Sequence, residues 1–165
     1  MVATAGEACA KLWGKWNTRD LYSSIAYSGW EDLWGPPDLP DDGLGNDVET
    51  ITRYKHDAWD AVLAQHGIED IELRDSIIER HRTERIGRLR PCAGVEELLM
   101  QVWAKYPLGL VTNGSPAVQR FKLERAGLSG FFSAVVTSGN VGFRRPAPNL
   151  FYRRSNHLVS VRTVP

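Results

Sequence analysis

Leu108-Gly109-Leu110-Val111-Thr112-Asn113-Gly114-Ser115-Pro116 is the stretch that decides how this chain is read. An apolar run of strand length ends in a hydroxyl, an amide and a glycine. Ser115 and Pro116 then supply a helix N-cap residue and a residue favoured at the first helical position. A buried strand thus delivers Thr112 and Asn113 to a helix N-terminus, where backbone N–H groups and the helix dipole favour a phosphate-sized anion.

Around this stretch the pattern alternates. Gly94 to Lys105 predicts a helix with Val95, Leu98, Leu99 and Val102 inward, and Tyr106-Pro107 turns the chain into the strand over 108–112. Residues 116–126 predict the next helix, with Val118 and Phe121 inward and Gly127 just past its end. Residues 134–137 predict a second short strand, the segment from Ser138 to Arg145 a loop, and Pro146-Ala147-Pro148 the opening of a last helix carrying Leu150, Phe151 and Leu158. Strand, helix, strand, helix at this spacing predicts right-handed crossovers and a parallel sheet. Ligands of such sheets bind at the carboxyl ends of the strands, where Thr112 to Gly114 and the Ser138 to Arg145 loop both emerge.

The residues before Pro91 are mainly helical. Thr4-Ala5-Gly6-Glu7 has the form of a capping box and opens a helix with Ala8, Leu12 and Trp16 on one side. Residues 17–46 are less regular, broken by Gly35-Pro36-Pro37 and Pro40-Asp41-Asp42-Gly43. Between the breaks, Trp30 and Trp34 stand one helical turn apart and read as packing residues. Asp47 starts an amphipathic helix with Val48, Ile51, Ala58, Trp59 and Val62 at helical spacing, ending at Gly67. A second helix follows, with Ile71, Ile77, Ile78, His81 and Ile86 as its apolar side. His81 stands among arginines and glutamates with no second His or Cys nearby in sequence, so it reads as a half-exposed helix histidine rather than a ligand or catalyst.

Composition agrees with a globular chain. Its 165 residues, 42% hydrophobic and 24% charged, allow one domain or a core with a small insert. No apolar stretch approaches the roughly 18 residues that span a membrane, and residues 1–20 lack the order of a secretory signal, so a cytoplasmic setting is expected, with no membrane partner. Cys9 and Cys92 have no partners at metal spacing and read as reduced thiols. The formal net charge of zero hides a polarity: after Thr112 the sequence has one acidic residue, Glu124, against eight arginines and lysines, a difference of +7. Solvated helix faces account for such arginines, and so does an anion site short of acidic partners; nucleic acid is not expected as a ligand.

Three segments carry a family resemblance. Arg90-Pro91-Cys92-Ala93-Gly94-Val95 leading into Leu98-Leu99, then Leu110-Val111-Thr112-Asn113-Gly114, then Gly142-Phe143-Arg144-Arg145-Pro146-Ala147-Pro148 before Leu150-Phe151, resemble the haloacid dehalogenase superfamily of phosphatases. The Thr-Asn-Gly and Pro-Ala-Pro-Asn-Leu-Phe-Tyr wording is most similar to its N-acylneuraminate 9-phosphatase branch. The resemblance implies an α/β fold: a partial Rossmannoid parallel sheet flanked by helices. It divides the chain into a first core helix over residues 1–14, a mainly helical cap subdomain over 15–88 and an incomplete core over 89–165. It further implies a small phosphorylated metabolite or inorganic phosphate as ligand, bound by Thr112, Asn113, Gly114 and Arg145. Arg145 stands where the family has a lysine, and its wide planar fork differs from a compact ammonium.

The family attacks phosphorus with the first aspartate of an Asp-x-Asp loop and holds magnesium between carboxylates. No two aspartates here are separated by one residue, and no carboxylate follows Glu124. The expectation is therefore a chain shortened at both ends relative to a full phosphatase, with no catalytic nucleophile, no metal ligands and no cofactor of its own, and so inactive as it stands. Asp41 and Asp42 are the only crowded acids that could substitute. A strand missing beside Leu108 to Thr112 would leave an apolar edge open to self-association. The alternative is a non-catalytic module of the same fold that binds phosphate or a protein.

Overall fold

A computed structural model describes Glu7, Leu12, residues 29–35 and residues 48–145. The chain divides into two compact units, residues 1–22 with 28–88 and residues 23–27 with 89–165. The capping box at Thr4, the Asp41-Asp42 pair, Cys9 and the helix expected from Pro146 lie outside the described residues.

In the first unit, α1 is the single turn Gly29–Asp32, α2 is Val48–Ala64 and α3 is Ile71–Gly87. Tyr54, Ala58 and Val62 recur every fourth residue of α2, so they form one stripe, and all three are buried together with Leu33, Trp34 and Leu63. Leu12 packs against the Leu33, Tyr54 and Ala58 cluster. Lys55 is buried beside this stripe, where its ammonium donates to the Gly35 carbonyl at 3.0 Å. A buried ammonium needs such acceptors, because desolvation without them is costly.

Helix α2 stops where a glycine can turn left-handed. Gly67 has φ +67°, and the amides of Gly67 and Ile68 donate to the carbonyls of Ala64 and Leu63 at 3.1 Å each. Three residues later Asp70 caps α3, its Oδ1 accepting from Leu73 N–H at 2.9 Å. Arg74 joins the helices by pairing with Asp60 of α2 at 3.1 Å and with its neighbour Asp75 at 2.9 Å. The apolar side expected for α3 is only partly inward. Ile77, Ile78, His81 and Ile86 are half-buried, whereas Ile71, in the first turn, is 67% exposed. His81 lies edge-on to Trp59 and Trp30, with ring centroids at 5.4 and 6.4 Å. Trp34 is fully buried, and the Arg85 guanidinium sits over its ring at 5.7 Å.

The second unit is the α/β part. Its order is α4 (Val95–Trp103), β1 (Leu108–Thr112), α5 (Pro116–Arg125), a 3₁₀ turn (Ser129–Phe131), β2 (Phe132–Thr137) and α6 (Ser138–Val141). β1 and β2 pair in parallel, so the expected sheet type is present, and Leu110 lies opposite Val135 and Thr112 opposite Thr137. The register shifts between Leu108 and Gly109, leaving Ser133 as the extra residue of β2; its hydroxyl donates to the Leu108 carbonyl at 2.9 Å. β2 therefore starts two residues before the expected Ala134, with Phe132 buried at its head. Ser115 and Gly127 bracket α5 as expected: Ser115 Oγ accepts from Val118 N–H at 3.3 Å, and Gly127 has φ +70°.

Two expectations for this unit need correction. Leu98 is 59% exposed, because the inward stripe of α4 runs through Val95, Leu99 and Val102 alone. The Ser138 to Arg145 segment is not all loop, since Thr137 Oγ1 accepts from Asn140 N–H at 3.2 Å and caps the one-turn α6. No helix among the described residues is long and apolar enough to cross a membrane.

Candidate anion site at the carboxyl ends of the strands

The level pairing of Thr112 with Thr137 brings the loops after β1 and β2 out at the same height. Each loop has its own reason to turn. Gly114 takes φ +114°, a region closed to most side chains, so that Ser115 can reverse into the cap of α5. Gly142, at φ +79°, donates its N–H to the Ser138 carbonyl at 2.8 Å and ends α6, after which the chain runs to Arg144 and Arg145.

Hydrogen bonds cross from one loop to the other. The Gly114 N–H donates to Ser138 Oγ at 2.8 Å, and Ser138 is completely buried. The Gly139 N–H donates back to the Gly114 carbonyl at 3.1 Å. The Arg145 N–H donates to Asn113 Oδ1 at 2.8 Å. The approach is close enough to demand glycine at 139: a Cβ there would lie 2.6 Å from Pro116 Cδ and 2.9 Å from the Gly114 oxygen.

The four residues singled out from sequence are thus placed as follows. Asn113 and Arg145, 32 residues apart in the chain, are bonded directly. Thr112 is half-buried beside Asn113, and its hydroxyl donates to the Asn113 carbonyl at 3.3 Å. That bond is long, so an acceptor at the ordinary 2.7–2.8 Å would replace it readily. The Gly114 N–H, expected to face an anion, instead holds Ser138, and Gly114 serves the loop rather than a ligand. Sequence reading missed Ser138 and Gly139. The available signal was Thr137-Ser138-Gly139-Asn140, a cap-forming and small-residue run placed directly after a strand.

The donors at this edge are a hydroxyl, backbone amides and the exposed arginines Arg144 and Arg145. They suit an oxyanion: guanidinium and N–H groups donate, and their charge is positive. They do not suit magnesium, which takes hard oxygen ligands, carboxylates above all. No group of three or more His, Cys, Asp or Glu that could hold a metal ion occurs among the described residues. The Thr112 hydroxyl donates to a backbone carbonyl, an acceptor that holds it but cannot act as a base.

The sequence profile of haloacid dehalogenase-like hydrolases matches residues 45–160. Among curated proteins the chain is similar to human N-acylneuraminate-9-phosphatase, 26% identical over 110 residues, which are 66% of this chain and 44% of that protein. It is similar to the phosphoserine phosphatase of Thermus thermophilus, 54% identical over 44 residues, 27% of this chain and 18% of that protein. A third relative is the glyceraldehyde 3-phosphate phosphatase of Methanothermobacter thermautotrophicus, 41% identical over 64 residues, 38% of this chain and 28% of that protein. The chain spans less than half the length of each of these relatives. No solved structure gives a significant match.

Proposed function

We propose that this chain, which belongs to the haloacid dehalogenase-like hydrolases, is a phosphatase-related protein that holds the phosphoryl group of a small cytosolic phosphate monoester at the carboxyl ends of β1 and β2. The observation that carries this reading is the hydrogen bond from the Arg145 backbone N–H to Asn113 Oδ1, which ties the loop bearing Arg145 to the residue that follows Thr112. Thr112 Oγ1, the Asn113 backbone amide and the Arg145 guanidinium are the donors to the phosphoryl oxygens, and Gly114 shapes the turn that presents them. The names of the relatives favour a phosphorylated metabolite, and the N-acylneuraminate 9-phosphatases make a sugar phosphate the first substrate class to test. Residues 15–88 are assigned to a helical cap.

Hydrolysis needs more than this edge supplies. With no Asp-x-Asp pair in the sequence and no carboxylate after Glu124, the chain by itself has no family-type nucleophile and binds without turnover. The same observation favours a second reading, a non-catalytic binding module. The two readings separate when carboxylates are supplied on a longer polypeptide of the same gene: turnover there supports a phosphatase, and binding without turnover supports the module. Self-association belongs to either reading, since β1 pairs only with β2 among the described residues, and its other edge can accept a strand.

The test is a titration of inorganic phosphate into the folded chain, followed through the backbone amide signals of Asn113 and Arg145. Weak, salt-sensitive binding without metal is expected, because the guanidinium is exposed and screened. Arg145→Ala and Thr112→Ala should each weaken it. No signal change at millimolar phosphate refutes the site, and magnesium-dependent hydrolysis of a generic phosphate ester, lost in Thr112→Ala, refutes the expected inactivity.

A further inference from the structure

We propose that the Asn113 side chain is a positioning residue rather than a ligand: it acts on a bound anion only through Arg145, as part of a hydrogen-bonded clasp that makes the loops after β1 and β2 one unit. This inference rests on the phosphate site above. Family resemblance points to Asn113 as a phosphate contact, yet the half of its carboxamide engaged here is Oδ1, an acceptor that a phosphate oxygen would repel; only Nδ2–H could donate to the anion, and a direct contact of that kind would survive removal of the Arg145 side chain. Oδ1 has a different partner, the Arg145 N–H at 2.8 Å. Fixing this N–H fixes the root of the Arg145 side chain, whose residue is exposed and lies three positions past the left-handed Gly142. Without that bond the guanidinium would be ordered only on binding, and the cost of ordering a long side chain would fall on the complex.

The rest of the clasp orients Asn113 itself. Gly114, its neighbour, gives its N–H to the buried Ser138 Oγ and receives the Gly139 N–H on its carbonyl, so both its polar groups are tied to the β2 side. The peptide on the far side of Asn113 continues the ladder of β1, where Thr112 lies opposite Thr137. Asn113 is therefore held from both ends, and its carboxamide has a fixed direction. The same bonds define the role of Ser138, the hydroxyl that keeps Gly114 at φ +114°.

A double-mutant cycle on the full chain with inorganic phosphate as the probe tests this. Asn113→Ala is expected to weaken phosphate binding by about five- to tenfold, the scale of one net hydrogen bond, and Ser138→Ala should weaken it in the same direction. In an Arg145→Ala background both substitutions should change affinity by less than about twofold, because the residue they position is gone. A purely structural staple would not show this dependence on the Arg145 side chain. Unchanged amide signals along β1 and β2 certify that each variant folds, and Ser138→Ala carries the test if Asn113→Ala does not. Equal weakening in both backgrounds, or none in either single variant, overturns the proposal and leaves the phosphate site standing. Absence of phosphate binding by the unaltered chain overturns both.

Discussion

Replacing Gly139 by alanine tests how tightly the two loops are joined. The added methyl would meet Pro116 Cδ at 2.6 Å and the Gly114 oxygen at 2.9 Å, one a rigid ring and the other backbone, so neither can swing aside as a long side chain would. Overpacking of this kind costs about 1–3 kcal/mol. Separating the loops also stretches the Gly139 N–H to Gly114 carbonyl bond, now 3.1 Å, at a cost of about 0.5–1.5 kcal/mol. Alanine regains up to about 1 kcal/mol of helix propensity, less in a helix of one turn. The net expectation is a loss of about 2 kcal/mol in the α/β unit. Hydrogen exchange of the β1 and β2 amides, under conditions where they exchange through unfolding of the unit, should then quicken about thirtyfold. Gly130→Ala is the control, since nothing lies within 4 Å of a Cβ there and its φ is not left-handed. Protection in Gly139→Ala equal to that of the control would refute the close approach of the loops.

What was legible in the sequence is what short-range chemistry decides. Ser115 and Pro116 announce α5 because a cap and a fixed φ act within one turn, and Gly67 and Gly127 announce helix ends because only a left-handed residue is needed there. β1 was readable because an apolar run ended at that same signal. Less legible were features whose cause lies far along the chain. Lys55 belongs to the α2 core because its ammonium reaches the Gly35 carbonyl 20 residues back, and hydrophobic spacing gives a lysine no inward vote. Asn113 reads as a ligand until Arg145 is found on its oxygen, and Gly114 N–H reads as a ligand donor until Ser138 is found on it, 24 residues away. The start of β2 was missed because Ser133 bulges out of the alternation and hides Phe132 behind a break in register. Leu98 was misplaced because α4 has apolar residues at 95, 98, 99 and 102, and periodicity alone does not say which of two adjacent leucines turns outward.

Further expectations follow from burial and helix position. Leu33→Ala removes a side chain that is 1% exposed in the helical unit and should destabilise that unit by about 2–5 kcal/mol, read as lost exchange protection in α2 with the β1 and β2 amides unaffected. Gly87→Ala should act in the opposite direction, adding up to about 1 kcal/mol to α3, because the position is helical, its φ is ordinary and a Cβ there meets nothing within 4 Å. His81 makes the helical unit sensitive to acid. Burial lowers its pKa below the ordinary value, the Arg85 guanidinium lowers it further, and a hydrogen bond with the Leu33 backbone opposes both only in part. Its Nδ1 is buried with no hydrogen-bond partner among the described residues, which is tolerable for a neutral ring and unfavourable for a charged one. Between the depressed folded pKa and the ordinary value of about 6.5 the unfolded chain binds more protons, so stability rises with pH across that window and falls as acid is added. Urea midpoints measured from slightly alkaline to mildly acid conditions should show this slope, and His81→Phe, which keeps an aromatic ring beside Trp59, should flatten it. Identical slopes with and without His81 would show that the imidazole is not held neutral by its place in the fold.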